Sequence, residues 1–210
     1  MGKISQGILG GFSGKVGNVI GGNWKGIDYM RSRTSQKKDA NSIKQQNQRA
    51  KFSGCIALAN SIMSTIILPI WNKKAIRMTG YNLFVKTNLP VFDTNGAITD
   101  YSNLKISVGD LLLPTNLVIK NNGAGNGALL ATWSDNSGTG NAAPTDRIRV
   151  LVICDGEVVE MQGLTFSRQT EFASFSIPFG SGKIVHVYAF FENESKTNFS
   201  INNYTLLTIT

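Results

Sequence analysis

The sequence predicts a mainly β chain with a helical N-terminal part, ending in an antiparallel β-sandwich. Three observations carry that expectation. From about residue 104 onward, short runs of alternating apolar and polar residues recur at regular intervals with turn residues between them. Between 40 and 90 the apolar residues recur instead at three- and four-residue spacing. Before Ile27 stand nine of the 22 glycines, with cations at nearly even intervals. The 210 residues therefore divide into a basic glycine-rich arm (1–39), a helical segment (40–90) and a sandwich domain (91–210). That length suffices to bury a core without disulfides or metals.

The arm shows no sustained helical or strand period. Glycine at this density costs backbone entropy on ordering, so the segment is expected to order only when something covers it. Asn41 or Ser42 can cap a helix in which Cys55, Ile56, Ala59, Ile62, Met63, Ile66 and Ile67 share a face until Pro69 stops it. Thr79 can cap a second helix, with Tyr81, Phe84, Val85 and Asn88 on one side before Pro90. Strands are expected at 104–108, 116–120, 128–134, 147–154, 157–161, 172–177, 184–191 and 203–209. Trp133 on an early strand and the aromatic run from Val187 to Phe191 fit an immunoglobulin-like or fibronectin type III-like layout, with no cysteine pair to pin the sheets.

The inventory of reactive groups is thin. One histidine, His186, lies between Val185 and Val187 with no second ligand near it in sequence, so a structural role at a sheet surface is expected. Cys154 alternates with Val150 and Val152 and reads as a buried small hydrophobe, and two unpaired cysteines suit a reducing compartment. Gly14-Lys15 is not a phosphate loop, because Leu9 and Val16 stand where glycine and a hydroxyl residue are required. Gly14 and Gly17 have the spacing of a backbone-clamping RNA loop, a pattern that arises easily in a glycine-rich stretch. Asp135, Ser137, Thr139, Gly140, Asn141 and Asp146 imitate the spacing of a calcium loop, but their flanks read as strands and a polar hairpin loop is expected. Asp155, Glu157 and Glu160 flank Gly156 and read as a solvated hairpin tip. No catalytic constellation, cofactor or metal site is expected.

Charge is the sharper signal. Residues 1–51 hold ten cations against Asp28 and Asp39, which is the whole net charge of +8, while the rest of the chain is neutral. Such asymmetry marks a basic arm that seeks a polyanion or an acidic surface. The candidate residues are Lys15, Trp24, Lys25, Tyr29, Arg31, Arg33, Lys37, Lys38, Lys44, Arg49 and Lys51, in which cations for phosphates interleave with aromatic faces for stacking. The competing reading is that the arm wraps a neighbouring subunit and Trp24 fills a pocket there. The longest apolar run, at 66–71, is far short of the roughly 20 residues of a spanning helix. Glycine and serine interrupt every apolar run near the N-terminus, so no signal peptide is read and synthesis in the cytoplasm is expected.

The stretch from Gly7 to Gly21, Trp24-Lys25-Gly26-Ile27 with Tyr29-Met30-Arg31, and the segments Tyr81 to Asn88, Ser107 to Leu111, Val185 to Phe190 and Ser200 to Tyr204 carry a resemblance. Together they resemble a Bacteroidetes and phage-associated family of about this length whose function is unknown. The resemblance implies a bacterial or bacteriophage origin and the order arm, helices, sandwich; it brings no activity, substrate or site residue. The leading expectation is a non-enzymatic structural protein, a homo-oligomeric subunit of a virion, particle or filament, whose arm contacts its neighbours or DNA or RNA. The alternative is a sandwich-type module that binds a protein or glycan, with the arm as a tether.

Overall fold

Two dipeptides, Gly17-Asn18 and Lys25-Gly26, decide the local structure of the basic segment. In the computed structural model, which describes residues 3–4, 11–34, 39–123, 127–161 and 163–210, they close two-residue hairpins. Gly17 takes φ 57°, and Lys25 and Gly26 take 48° and 82°, the left-handed conformations whose twist matches that of paired strands. Strands β1 (Lys3–Ile4), β2 (Phe12–Val16), β3 (Val19–Trp24) and β4 (Ile27–Ser32) thus form an antiparallel meander. It belongs to a compact unit of residues 1–46 with 76–78, while residues 47–75 and 79–210 form the second unit. The sequence reading found no strand period here because Gly21 and Gly22 interrupt the alternation of β3.

Helix α1 (Ile43–Ser61) begins at a reciprocal capping box. The Gln45 backbone N–H donates to Ser42 Oγ at 3.4 Å, and the Ser42 N–H donates to Gln45 Oε1 at 3.1 Å. Pro69 does not stop the helical run as expected. The chain turns by 93° after α1 and continues as a π-helical segment, Met63–Trp71, with Pro69 inside it. Proline has no N–H to give, so in the i→i−5 ladder of this segment the Ser64 carbonyl goes without its backbone partner, and at the neighbouring Thr65 carbonyl Arg149 Nη2 adds a donor at 3.0 Å. A short α2 (Asn72–Lys74) follows, and then α3 (Gly80–Asn88), capped by Thr79 Oγ1, which accepts from the Asn82 N–H at 3.1 Å.

The rest of the second unit is mainly β. Strands β5 (Thr115–Asn121), β6 (Ala128–Ser134) and β9 (Phe172–Ser176) form one antiparallel sheet. Strands β7 (Arg147–Cys154), β8 (Glu157–Met161), β10 (Ile184–Glu192) and β11 (Asn203–Thr208) form the other, in the order β11-β10-β7-β8. Side chains alternate across a strand, so the near-continuous apolar runs of β7 and β10 bury both faces of the four-stranded sheet. Val150, Val152, Val187, Ala189 and Phe191 pack between the two sheets. Leu151, Ile153, Tyr188 and Phe190 pack on the other side against Cys55, Ile62, Ile66, Ile70, Trp71 and Phe84 of the helices. The helices thus complete a third layer, with the Trp71 indole donating to the Ile106 carbonyl at 2.9 Å.

Residues 104–108 do not form the expected strand. Leu104 and Ile106 are buried and the chain here is held by side-chain amides. Asn88 Oδ1 accepts from the Lys105 N–H at 2.8 Å, and Asn202 Oδ1 accepts from the Ile106 and Ser107 N–H groups at 2.9 and 3.2 Å. The alternation read from sequence reflects burial, but the partners of the buried backbone are two asparagines and not a neighbouring strand.

Candidate functional site

Register fixes which side chains of the N-terminal meander share a face. Lys15 pairs with Ile20 and Ile20 with Arg31, giving one row across three strands. Gly22 pairs with Tyr29 and Trp24 with Ile27, each an even step along the same strands, so these residues stand on the same face. Lys3, opposite Ser13, joins them from β1. The one anion of β2 to β4, Asp28, stands on the opposite face, where its Oδ1 accepts from Asn23 Nδ2 at 2.7 Å. One face therefore collects Lys3, Lys15, Arg31, Trp24 and Tyr29, and the carboxylate is directed away from it.

Glycine shapes the surface of that face. A Cβ at Gly22 would lie 2.8 to 3.2 Å from the Oη, Cζ and Cε1 atoms of Tyr29, so the phenol ring lies across bare backbone. Trp24 is 51% and Tyr29 46% exposed, and Gly21 is the single buried residue of β2 to β4. A sheet whose large apolar side chains stay in water has given up the burial, about 1.5–3 kcal/mol per side chain, that ordinarily stabilises such an element.

The other candidates are distributed differently. Lys25 sits at the β3–β4 turn, and its Nζ donates to the Met78 carbonyl within the same unit. Arg33 follows β4, its N–H donating to the Asn18 carbonyl at 2.6 Å. Lys44, Arg49 and Lys51 stand on α1, and Lys37 and Lys38 lie outside the described residues. Lys3 entered the charge count but not the candidate set; its place on the face follows from pairing, which spacing in sequence does not reveal.

A family of unknown function (DUF6266) matches residues 11–206. The chain belongs to this family. The match takes in strands β2 to β4, the helices and both sandwich sheets. No curated protein matches the chain. Among solved structures, a fibronectin type III domain of human collagen XX is similar at 15% identity and a TM-score of 0.34, covering 49% of this chain and 97% of that one. The chicken CNTN1 FN1–FN3 domains are similar at 9% identity and a TM-score of 0.34, covering 49% of this chain and 33% of that one.

In the second unit of this family member, Arg168, Asp146, Arg149 and Glu160 are committed to packing. Arg168, fully buried, donates from Nε and Nη2 to Asp146 Oδ2 at 3.1 and 3.0 Å. Its Nη1 and Nη2 also donate to Asn136 Oδ1 at 2.6 Å and to the Leu112 carbonyl at 2.7 Å, and its own carbonyl accepts from the Trp133 indole at 2.7 Å. The supposed calcium-loop position Asp146 is thus half of a buried ion pair that sequence reading missed, its partner lying 22 residues away. Glu160 is likewise not part of a solvated tip: its side chain is 8% exposed and pairs with Arg149. Asp155 and Gly156 do form the tip, both with positive φ.

His186 Nδ1 lies 2.9 Å from the Tyr204 hydroxyl, and its ring stacks on Tyr101 with centroids 3.5 Å apart. Burial holds its pKa below the ordinary imidazole value. Burial likewise pushes the Cys55 thiol up to about 11 and raises that of Cys154, leaving neither as a ready thiolate. No group of three or more His, Cys, Asp or Glu that could hold a metal ion occurs among the described residues. Among them, too, no single helix is long and apolar enough to cross a membrane.

Proposed function

We propose that the chain is a non-enzymatic structural protein, a subunit of a virion, particle or filament, in which the N-terminal sheet attaches to nucleic acid and the second unit is the rigid body that it anchors. The observation that carries this reading is the shared exposed face of Lys3, Lys15, Arg31, Trp24 and Tyr29, with Asp28 on the reverse. Cations neutralise phosphates and release their counterions, and flat aromatic side chains accept bases of any sequence. The cation-rich face also disfavours a second copy of itself as the cover, since like charges would meet. We read the sandwich as immunoglobulin or fibronectin III-like. Strand order supports this: the first, second and fifth strands of the seven form one sheet, and the remaining four form the other.

Light scattering tests the function on the full chain and on a chain beginning at Ala40, each with and without DNA at about 50 and 500 mM salt. The two hydrophobic cores use residues from Cys55 onward, so the shorter chain keeps them. The full chain is expected to form large species with DNA at low salt that dissolve at high salt, and the shorter chain to ignore DNA. Two monomers that both ignore DNA would contradict the proposal.

A further inference from the structure

The geometry points to a narrower ligand for the N-terminal face: single-stranded nucleic acid, held by stacking successive unpaired bases on Trp24 and Tyr29 while Lys15 and Arg31 take the phosphates. This rests on the reading of that sheet as a nucleic-acid surface and specifies what it takes. Trp24 pairs with Ile27, and Tyr29 stands two residues further along the same strand as Ile27, so the two aromatics are diagonal neighbours on adjacent strands. Such neighbours lie roughly 7–8 Å apart. Successive bases of an extended single strand reach that spacing. Within a duplex the bases are about 3.4 Å apart and their faces are covered by one another, so neither ring could be used without unstacking.

The surfaces of the two rings fit this role. With Gly22 beneath it, the Tyr29 ring rests on backbone, which leaves its other face to solvent. The next row along the strands is Lys15, Ile20 and Arg31, so the cations stand one pleat repeat beyond Tyr29 and two beyond Trp24. Asp28, turned to the reverse face, does not repel a phosphate there. Trp24 supplies its own reporter: it is half exposed, whereas Trp71 and Trp133, the other two tryptophans, are 1% and 5% exposed in the cores. Quenching of tryptophan emission by a ligand therefore reads Trp24.

The experiment titrates the full chain with oligothymidylate of about 16 nucleotides, and separately with a duplex of equal length, at about 50 mM salt, following both tryptophan emission and anisotropy of the labelled nucleic acid. The single strand is expected to quench emission and to bind at least roughly tenfold more tightly than the duplex. Trp24→Ala and Tyr29→Ala are each expected to weaken single-strand binding by roughly tenfold, and Trp24→Phe, which keeps a stacking face and guards against loss of the sheet, to restore most of it. Equal affinity for duplex with unchanged emission overturns the stacking inference and leaves nucleic-acid binding standing. So does a Trp24→Ala chain of full affinity whose binding is lost on Lys15→Glu with Arg31→Glu. Failure to bind either nucleic acid overturns both readings. Concentration-dependent burial of Trp24 without any ligand also overturns both, because it makes a second copy the cover.

Discussion

Arg168 shows what a single residue does in this molecule. Its guanidinium is fully buried, makes four hydrogen bonds and lies with its Cζ 5.0 Å from the Phe191 ring centroid, joining the loops at one end of the sandwich to its core. Arg168→Met leaves the Asp146 carboxylate buried without its cation, and a loss of about 3–5 kcal/mol is expected in urea unfolding. His186 supplies a pH-dependent contribution of definite sign. Its pKa is lowered in the folded state, so the unfolded chain takes up the proton first as pH falls. The contribution of the neutral ring is whole above about pH 6.5 and is lost as pH drops through that value toward the lower folded one. As His186 is the one histidine of the chain, unfolding measured at about pH 7.5 and 5.5 is expected to show wild type losing stability that His186→Phe does not lose.

At the scale of elements, strands β5 to β11 and helix α3 were legible because each has a local cause. The Asp155-Gly156 turn, the Thr79 cap and the alternation of β6 are written in adjacent residues. What escaped the sequence reading depends on partners distant in the chain. The segment 104–108 has the alternation of a strand, yet its ladder is made by Asn88 and Asn202. Asn202→Ala strips acceptors from two N–H groups and the donor from the Leu104 carbonyl, and about 2–3 kcal/mol of stability is expected to go with them in a denaturant series. Pro69 reads as a stop, but the chain runs through it as a π-helical segment against which Arg149, distant in sequence, donates to the Thr65 carbonyl. In the N-terminal meander the candidate residues were legible by type, while their shared face was not. That face depends on two-residue turns whose count sets the register, and a one-residue slip would send Lys15 and Arg31 to opposite sides.

At the scale of the whole molecule, charge and core are segregated. All of the net charge lies in residues 1–51, and the two hydrophobic cores begin beyond it, at Cys55 and at Leu111. Changes in the charged segment are therefore expected to alter binding with little change in the melting of the body, and changes such as Arg168→Met to do the reverse. The central claim, that the N-terminal face binds nucleic acid through its cations, is tested most directly by the salt dependence of that binding. Affinity of the full chain for DNA is measured by anisotropy from about 50 to 300 mM salt, beside the double variant Lys15→Glu, Arg31→Glu. The wild-type chain is expected to give a linear fall of log affinity with log salt, and the variant a slope shallower by about 2, one for each phosphate contact removed. Identical slopes in the two proteins, or an affinity that salt does not change, would contradict the account.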